Sequence, residues 1–241
     1  MKLKVFCAAL VACISINLKT VAQKLDPTFS LPTPITFADI RDIKTQSDNK
    51  ILVGGSFNYL ESDSIGSLIR LNEDGSLDET FSYDSTGNIN DIDIQSTGSI
   101  IINSYDKLVQ LNSNGSVLNT IDTLMIIDAF IIQQDDKIVV IGSRKINTNT
   151  STPVLYRFNS DLLPDNSVYQ TNSFDSYLTD IALQNDKIVV SGRFSDVTGV
   201  EKHNIARFQS NGNLDASFDV GTGTDDGIGS ITIQGNGKIL I

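Results

Sequence analysis

The segment that decides the fold reads QSDNKILVGGSF (residues 46–57), because similar segments return four more times along the chain. They are QSTGSIIINSY (95–105), QQDDKIVVIGS (133–143), QNDKIVVSGRF (184–194) and QGNGKILI (234–241). The glutamines that open them are spaced by 49, 38, 51 and 50 residues. Repeats of about 40 to 50 residues are typical of β-propellers, in which each repeat forms one small sheet, or blade.

A second segment follows the first in each of the four complete repeats. It reads LIRLNEDGSLDETF (68–81), LVQLNSNGSVLNTI (108–121), LYRFNSDLLPDNSV (155–168) and IARFQSNGNLDASF (205–218). Together the two segments predict four strands per repeat, called A to D, with a tight turn between C and D at dipeptides such as Asp74-Gly75 and Asn211-Gly212. Strand B is a continuous apolar run in every repeat, which indicates burial on both faces of the sheet.

The sequence therefore predicts an all-β protein, a β-propeller of four-stranded antiparallel blades. We expect about four full blades plus a partial one, in an incomplete ring whose natural chain continues past Ile241 into further repeats or domains. The repeat region spans residues 23–241. Its units are 40–90, 91–127, 128–179, 180–229 and the partial unit 230–241. The A–B and C–D turns are expected at one end of the blades, and the longer B–C and D–A loops at the other.

Residues 1–22 have the features of a signal peptide. Lys2 and Lys4 precede a mostly apolar stretch, and small residues ending at Ala22 form a cleavage site. An alternative is lipoprotein processing, which would leave Cys13 acylated at the start of the mature chain. We prefer cleavage after Ala22, because the apolar run continues past Cys13. Either route predicts a secreted, extracellular or cell-surface protein with no transmembrane span in the mature chain.

Cleavage after Ala22 leaves 15 basic against 29 acidic side chains, a formal net charge of −14, and no cysteine. Such an acidic chain repels phosphate backbones and anionic lipid headgroups, so nucleic acid is not an expected partner. Thiol chemistry is excluded for the same mature chain. With one histidine and no G-x-S-x-G motif, a serine nucleophile with a histidine base is not expected either.

The long loops carry the candidate functional residues, because variable loops on a rigid scaffold usually hold the function. Candidates for a ligand-binding face are Tyr59, Asp84, Asp175, Tyr177 and His203. Asp225 and Asp226 lie in the stretch GTGTDDG (221–227) and are weak calcium candidates, although no EF-hand spacing is present. No other cofactor and no catalytic residue is predicted.

Arg70, Arg157 and Arg207 recur at one position of strand C. We expect each to pair with an aspartate of the next strand (Asp78, Asp165 or Asp215) rather than to line a binding face.

The segments NKILVGGSF…LIRLNEDGSLDETF (50–81) and DKIVVSGRFSDVTGVEKHNIARFQSNGNLDASF (186–218) resemble the delta-60 repeat. This β-propeller-like unit occurs in secreted bacterial proteins. The resemblance covers roughly residues 25–241 and is weaker in the second and third units. In the second unit Ser99 replaces Lys50 and Gln110 replaces Arg70. It implies an extracellular propeller, often part of a larger surface or secreted protein, and it implies no catalytic residues.

Three functions are compatible with the sequence. The preferred one is a secreted, non-enzymatic propeller that binds an extracellular protein or glycan through its B–C and D–A loops. The second is a structural repeat module of a larger cell-surface protein. The third is a metal-assisted hydrolase or lactonase that uses loop carboxylates around one cation.

Overall fold

The structure is a computed structural model, and it describes residues 28, 35–59, 67–83, 87–104, 107–123, 125–146, 151–165 and 174–241, without the side chains of 35–38 and 57–59. The predicted signal peptide, with Cys13 and Ala22, lies outside these residues. The described part consists of strands and turns, with no helix. It therefore contains no apolar helix long enough to cross a membrane.

Each repeat unit forms its own antiparallel sheet, with strands paired in chain order from A outward. The first unit contains β1 (Ile35–Thr45), β2 (Ile51–Tyr59) and β3 (Leu68–Leu71). The second contains β4 (Asp91–Ile94), β5 (Ile100–Ser104), β6 (Lys107–Leu111) and β7 (Val117–Asp122). The third contains β8 (Met125–Ile132), β9 (Ile138–Lys145) and β10 (Ser151–Phe158).

The fourth unit adds a small hairpin inside its B–C loop. Its sheet contains β11 (Leu178–Gln184), β12 (Lys187–Gly192) and β15 (Ile205–Phe208), and the hairpin contains β13 (Asp196–Val197) and β14 (Val200–Glu201). The fifth unit contains β16 (Thr232–Ile233) and β17 (Ile239–Leu240). β1 and β8 begin before the predicted unit starts at residues 40 and 128, because strand A continues beyond a β-bulge in both units.

Alternate residues of strand B pack against opposite neighbours, which shows that the sheets are stacked face to face. Ile100 and Ile102 of β5 belong to the apolar cluster shared with the first unit, whereas Ile101 belongs to the cluster shared with the third. In β9, Val139 likewise packs toward the fourth unit while its neighbours pack toward the second. All of these side chains are buried. The predicted burial of strand B on both faces is confirmed for the second, third and fourth units; in the first, Leu52 and Val53 are buried and Ile51 is partly buried.

The fifth unit departs from this pattern. Leu240 and Ile241 are exposed, although their apolar run predicts burial. Only one face of this small sheet is covered: Ile231, Ile233 and Ile239 join a cluster with the fourth unit. Among the described residues the sheets follow one another without closing a ring, as predicted.

Among the described residues, the fourth strand is complete only in the second unit. In the first and fourth units it is reduced to one bridge, Leu71↔Leu77 or Phe208↔Leu214. The third unit has the bridge Phe158↔Pro164, and its residues 166–173 lie outside the described part. In the first unit the Asp78 carboxylate accepts hydrogen bonds from the backbone N–H and the hydroxyl of Thr80, which turns the chain out of the sheet. The second unit has Leu118 at the corresponding place in the sequence, so its outer strand continues as β7.

Carboxylates also join the innermost strands of successive units. Asp42 accepts a hydrogen bond from the backbone N–H of Ile92 (2.8 Å), and Asp91 accepts one from Phe130 (3.0 Å). Burial, together with the nearby charge of Asp42, raises the pKa of Asp91 to about 8. The same bond runs from Ile231 to Asp180 at 2.8 Å. Innermost strands are therefore tied across three of the four interfaces between units.

Candidate binding surface

The recurring arginines of strand C are structural groups. Arg70 donates from Nε to the Asp78 carboxylate at 2.7 Å, and the pairs Arg157–Asp165 and Arg207–Asp215 have the same geometry at 2.7 and 2.8 Å. A lysine from the start of strand B joins each pair: Lys50, Lys137 or Lys187. The predicted pairing of arginine with aspartate on the next strand is confirmed, and these guanidinium groups do not form a binding face.

The pKa of the paired aspartates reflects this environment. Burial alone raises the pKa of Asp78, but hydrogen bonds from Lys50, Thr80 and Arg70 together outweigh it and hold the pKa well below its usual range. For Asp215 the hydrogen bond from Lys187 is the largest cause of a similarly low pKa. Both carboxylates are therefore ionised at neutral pH.

Three loops of the fourth and fifth units meet at the end of β12, and we call them the fourth-unit loop surface. They are residues 174–177, 193–204 and 219–229. The backbone N–H of Arg193 donates to the carbonyl of Tyr177 (3.0 Å), and that of Ile228 donates to the carbonyl of Gly192 (3.0 Å). The end of strand B is thus hydrogen-bonded to the preceding D–A loop through Tyr177 and to the following D–A loop through Ile228. This is the long-loop end of the fold.

Aromatic packing anchors the loop surface to the core. The rings of Phe174 and Phe194 are buried edge to face with centroids 5.2 Å apart, and Val197 of β13 is fully buried beside them. Phe194 is therefore a core residue. Phe174 is not available to stack on a ligand, which leaves Tyr177 as the exposed aromatic side chain of this surface.

Asp175 fixes the start of the B–C loop. Its carboxylate accepts hydrogen bonds from the Ser195 hydroxyl (2.5 Å) and from the backbone N–H groups of Ser195 (2.9 Å) and Asp196 (3.1 Å). Burial raises the pKa of Asp175, but these hydrogen bonds outweigh it and lower the pKa overall. The carboxylate that the sequence suggests as a ligand-binding group thus holds two loops together.

Asn204 connects the B–C loop to the following D–A loop. It is buried and has a positive φ of 65°. Its side-chain amide donates to the carbonyl oxygens of Thr224 and Asp226, both at 2.9 Å. The sequence does not single out this residue, because an asparagine in a polar loop carries no distinguishing pattern. The tie fixes the segment that carries Asp225 and Asp226.

His203, Asp225 and Asp226 lie in the region that Asn204 organises. The Nε2 atom of His203 is hydrogen-bonded to Glu201 (2.8 Å), and the Asp226 carboxylate accepts from the N–H of Gly227 and lies 3.7 Å from the Arg193 guanidinium. Two carbonyl oxygens of this loop, those of Thr224 and Asp226, already accept hydrogen bonds from the Asn204 amide. No group of three potential metal-ligating side chains occurs among the described residues, and calcium at Asp225 and Asp226 stays a prediction.

The structure thus brings Asp175, Tyr177, His203, Asp225 and Asp226 onto one loop surface. The side chain of Tyr59 and residue Asp84 lie outside the described residues. Exposed groups on the loop surface include Arg193, 64% exposed, Tyr177, 50% exposed, and Val200 at the tip of the small hairpin, 46% exposed. At the opposite, short-turn end, a cleft of about 330 Å³ opens between the third and fourth units.

Comparison with known families agrees with this architecture. Residues 46–81, 133–167 and 183–218 match the family described as a domain of unknown function (DUF5122) β-propeller, which is of the delta-60 repeat type. The three matches coincide with the first, third and fourth units. The chain is a β-propeller-like repeat protein. No curated protein matches it in sequence.

Solved structures with a similar fold share little sequence with this chain. The WD40 domain of Neurospora crassa Pan2 is 14% identical over 73% of this chain, with a TM-score of 0.49, and the match spans half of that domain. The extracellular domain of a B. thetaiotaomicron protein described as a hybrid two-component system is 13% identical over 83% of this chain and 25% of its own length (TM-score 0.49). A Xanthomonas campestris gluconolactonase is 12% identical over 83% of this chain and 91% of its own (TM-score 0.42).

Proposed function

We propose that this chain is a secreted, non-enzymatic binding module that recognises an extracellular protein through the fourth-unit loop surface. The observation that carries the proposal is the combination of fixed loops with exposed Tyr177, Arg193 and Val200. Loops already ordered before binding lose little conformational freedom when a partner docks, which favours affinity. A protein is the preferred partner class, and a glycan is the alternative.

The chemistry of the exposed groups supports a protein partner. Tyrosine and arginine are enriched where protein interfaces carry most of their binding energy, since both combine a large contact area with hydrogen-bonding groups. An apolar residue such as Val200, presented on a hairpin tip, adds a small hydrophobic contact. Arg193 lies beside Asp226, so the surface offers both signs of charge to a partner.

Export and the absence of catalysis are parts of the same proposal. The sequence of residues 1–22 supports secretion. Two of the loop acids, Asp175 and Asp226, are hydrogen-bonded to backbone groups or lie beside Arg193, which supports a structural use of these carboxylates. His203 is hydrogen-bonded to Glu201 and has no nucleophile at hand among the described contacts.

The test is a comparison of captured partners. The mature protein is immobilised and exposed to the extracellular proteins of its own source, and bound proteins are quantified by mass spectrometry. The variant Tyr177→Ala, Arg193→Ala, Val200→Ser is expected to lose at least tenfold of the specific capture. The matched control Val117→Ser, Leu163→Ser removes exposed apolar side chains elsewhere and is expected to leave capture unchanged.

Two results would count against the proposal. Equal capture by the wild type and the loop variant would contradict it and favour a structural module of a larger surface protein. Binding on a glycan array that depends on the same three side chains, without protein capture, would replace the protein partner with a glycan.

A further inference from the structure

The A–B turn has the same conformation in the first, second, third and fifth units. In the fourth unit it is one residue shorter. In the third unit, Gln133 N–H donates to the carbonyl of Lys137, and Asp136 N–H donates to the carbonyl of Gln133. The third residue after the glutamine has a positive φ in each of these units: Asn49, Gly98, Asp136 and Gly237. In the fourth unit the turn Gln184-Asn185-Asp186-Lys187 is one residue shorter, and Asn185 takes the positive φ instead.

At two interfaces, the backbone carbonyl of this third turn residue accepts a hydrogen bond from the glutamine of the preceding unit. The side-chain amide of Gln95 donates to the carbonyl of Asp136 at 3.1 Å, and the amide of Gln184 donates to the carbonyl of Gly237 at 2.7 Å. The interface between the second and third units is closed further, since Ser96 donates from its backbone N–H and its hydroxyl to the Asp136 carboxylate.

Among the described residues, no hydrogen bond of this kind occurs at the interface between the third and fourth units. The shorter turn places no equivalent carbonyl opposite Gln133, whose buried amide instead makes a long 3.4 Å contact with the carbonyl of Ser210. The 330 Å³ cleft lies here. It is lined mainly by polar side chains: Gln133, Gln134, Asp135, Asn185, Asp186 and Asn211, with Leu183 as an apolar wall. A volume near 300 Å³ is at the lower end of the range for small-molecule sites.

We propose that this cleft binds a neutral, hydroxyl-rich ligand, such as one sugar unit of a saccharide. The missing turn residue would have offered an acceptor to the Gln133 amide, and a hydroxyl oxygen can accept in its place. The same hydroxyl groups can donate to the carboxylates of Asp135 and Asp186. The side-chain amides of Gln134, Asn185 and Asn211 supply both donors and acceptors, which suits a ligand whose groups also do both.

The charges of the cleft favour a neutral ligand over an anion. The Arg157 guanidinium at its base already donates to Asp165 at 2.7 Å and to the carbonyl of Ser210 at 2.7 Å, so its charge is matched within the fold. Asp135 lies 3.7 Å from the ammonium group of Lys137, and Asp186 adds a further negative charge to the lining. The cleft therefore stays acidic, which disfavours phosphates and uronic acids. This inference concerns the short-turn end and goes beyond the function proposed for the fourth-unit loop surface.

The test is saturation-transfer NMR of the mature protein with glucose, galactose, mannose and N-acetylglucosamine, with glucuronate as the charged comparison. We expect at least one neutral sugar to bind. One variant restores the turn length, with Asn185→Gly, Asp186→Asn and a glycine inserted after position 186, which copies the turn of the fifth unit. A second variant is Gln134→Ala with Asp135→Ala. Both are expected to weaken sugar binding at least tenfold.

Two controls make the outcome decisive. Ser47→Ala with Asp48→Ala changes the corresponding turn positions of the first unit and should leave sugar binding unchanged. Tyr177→Ala should also leave it unchanged, which separates this site from the loop surface. No binding by any neutral sugar, stronger binding of glucuronate, or undiminished binding by a folded variant with the restored turn would overturn the proposal.

Discussion

Each lysine–arginine–aspartate set is a small ionic cluster that fixes the outer part of a sheet to its centre. In the first unit, Asp78 is buried and binds Lys50 and Arg70 at 2.7 Å each. Arg70 extends the cluster by donating to the carbonyl of Ser113 in the second unit. A single carboxylate therefore supports strand B, strand C and, through Arg70, the contact with the next sheet.

We expect Asp78→Ala to lower the free energy of unfolding by about 3 kcal/mol, because it leaves a buried guanidinium without its counter-ion. Urea unfolding at pH 7 measures this loss. Since the folded pKa of Asp78 is depressed from 3.8, its stabilisation is present above about pH 4 and is lost as the pH falls further. The difference between variant and wild type should therefore shrink at pH 2.5.

The matched control is Asp122→Ala, which removes an exposed ion pair with Lys107. We expect it to cost less than about 1 kcal/mol. Equal losses for the two variants would show that the buried cluster contributes no more than a surface pair.

Asp91 has the opposite dependence on pH. Its pKa of about 8 in the folded protein lies far above the ordinary value of 3.8, so the folded state binds a proton more tightly than the unfolded state. Between these two values the wild type is expected to lose stability as the pH rises. Asp91→Asn keeps one acceptor oxygen and cannot ionise, so it should raise the melting temperature at pH 8 relative to the wild type and have little effect at pH 4. An equal destabilisation at both pH values would contradict the raised pKa.

At the scale of the strand, a glycine opposite a bulge recurs in three units. A Cβ at Gly55 would lie 2.0 Å from the carbonyl oxygen of Asp39, and one at Gly142 would lie 2.0 Å from that of Ile126. At Gly192 the corresponding distance to the Tyr177 carbonyl is 2.3 Å. Strand A bulges at each of these places, and its backbone presses against strand B.

We expect Gly142→Ala to destabilise the protein by about 2 kcal/mol or more, since a backbone carbonyl cannot move aside as a side chain does. Thermal unfolding at neutral pH measures the effect. Gly229→Ala is the control, because a Cβ there meets nothing within 4 Å, and it should change stability by less than about 0.5 kcal/mol. A melting temperature for Gly142→Ala equal to that of the control would exclude the close approach.

Individual strands and turns differ in how clearly the sequence predicts them. Apolar runs such as Ile138-Val139-Val140 reveal strand B directly, since burial on both faces leaves no polar position. The end of the fourth strand depends on one side chain, Asp78, bonding to Thr80, and periodicity does not report that contact. The third unit lacks a glycine in its C–D turn, yet Leu162 takes the positive φ of 65°, because its buried side chain is held by the core.

At the scale of the whole molecule, the sequence predicted which end carries the long loops and most of the loop residues that meet there. It did not reveal that Asn204 connects two of those loops. Nor did it reveal that the Asp175 carboxylate is hydrogen-bonded to Ser195 and Asp196 within the loop surface. The cleft at the other end lies beside the shorter turn of the fourth unit, and the spacing from Gln184 to Lys187 shows this missing residue in the sequence. That Gln133 of the third unit faces this turn is visible only in the structure, because the sequence does not report contacts between units.

Face-to-face stacking of successive sheets is the claim on which both proposed sites depend. Residues 23–241 contain no cysteine, so a pair introduced into a protein of these residues reports this stacking without background. In the double variant Ser96→Cys, Asp136→Cys, the two side chains replaced are hydrogen-bonded at 2.6 Å across the interface between the second and third units. A mild oxidant should convert this pair to an intramolecular disulfide, seen as a mobility shift on non-reducing electrophoresis. Failure to cross-link faster than Asp48→Cys with Asp186→Cys, a pair on units that are not neighbours, would contradict the stacking.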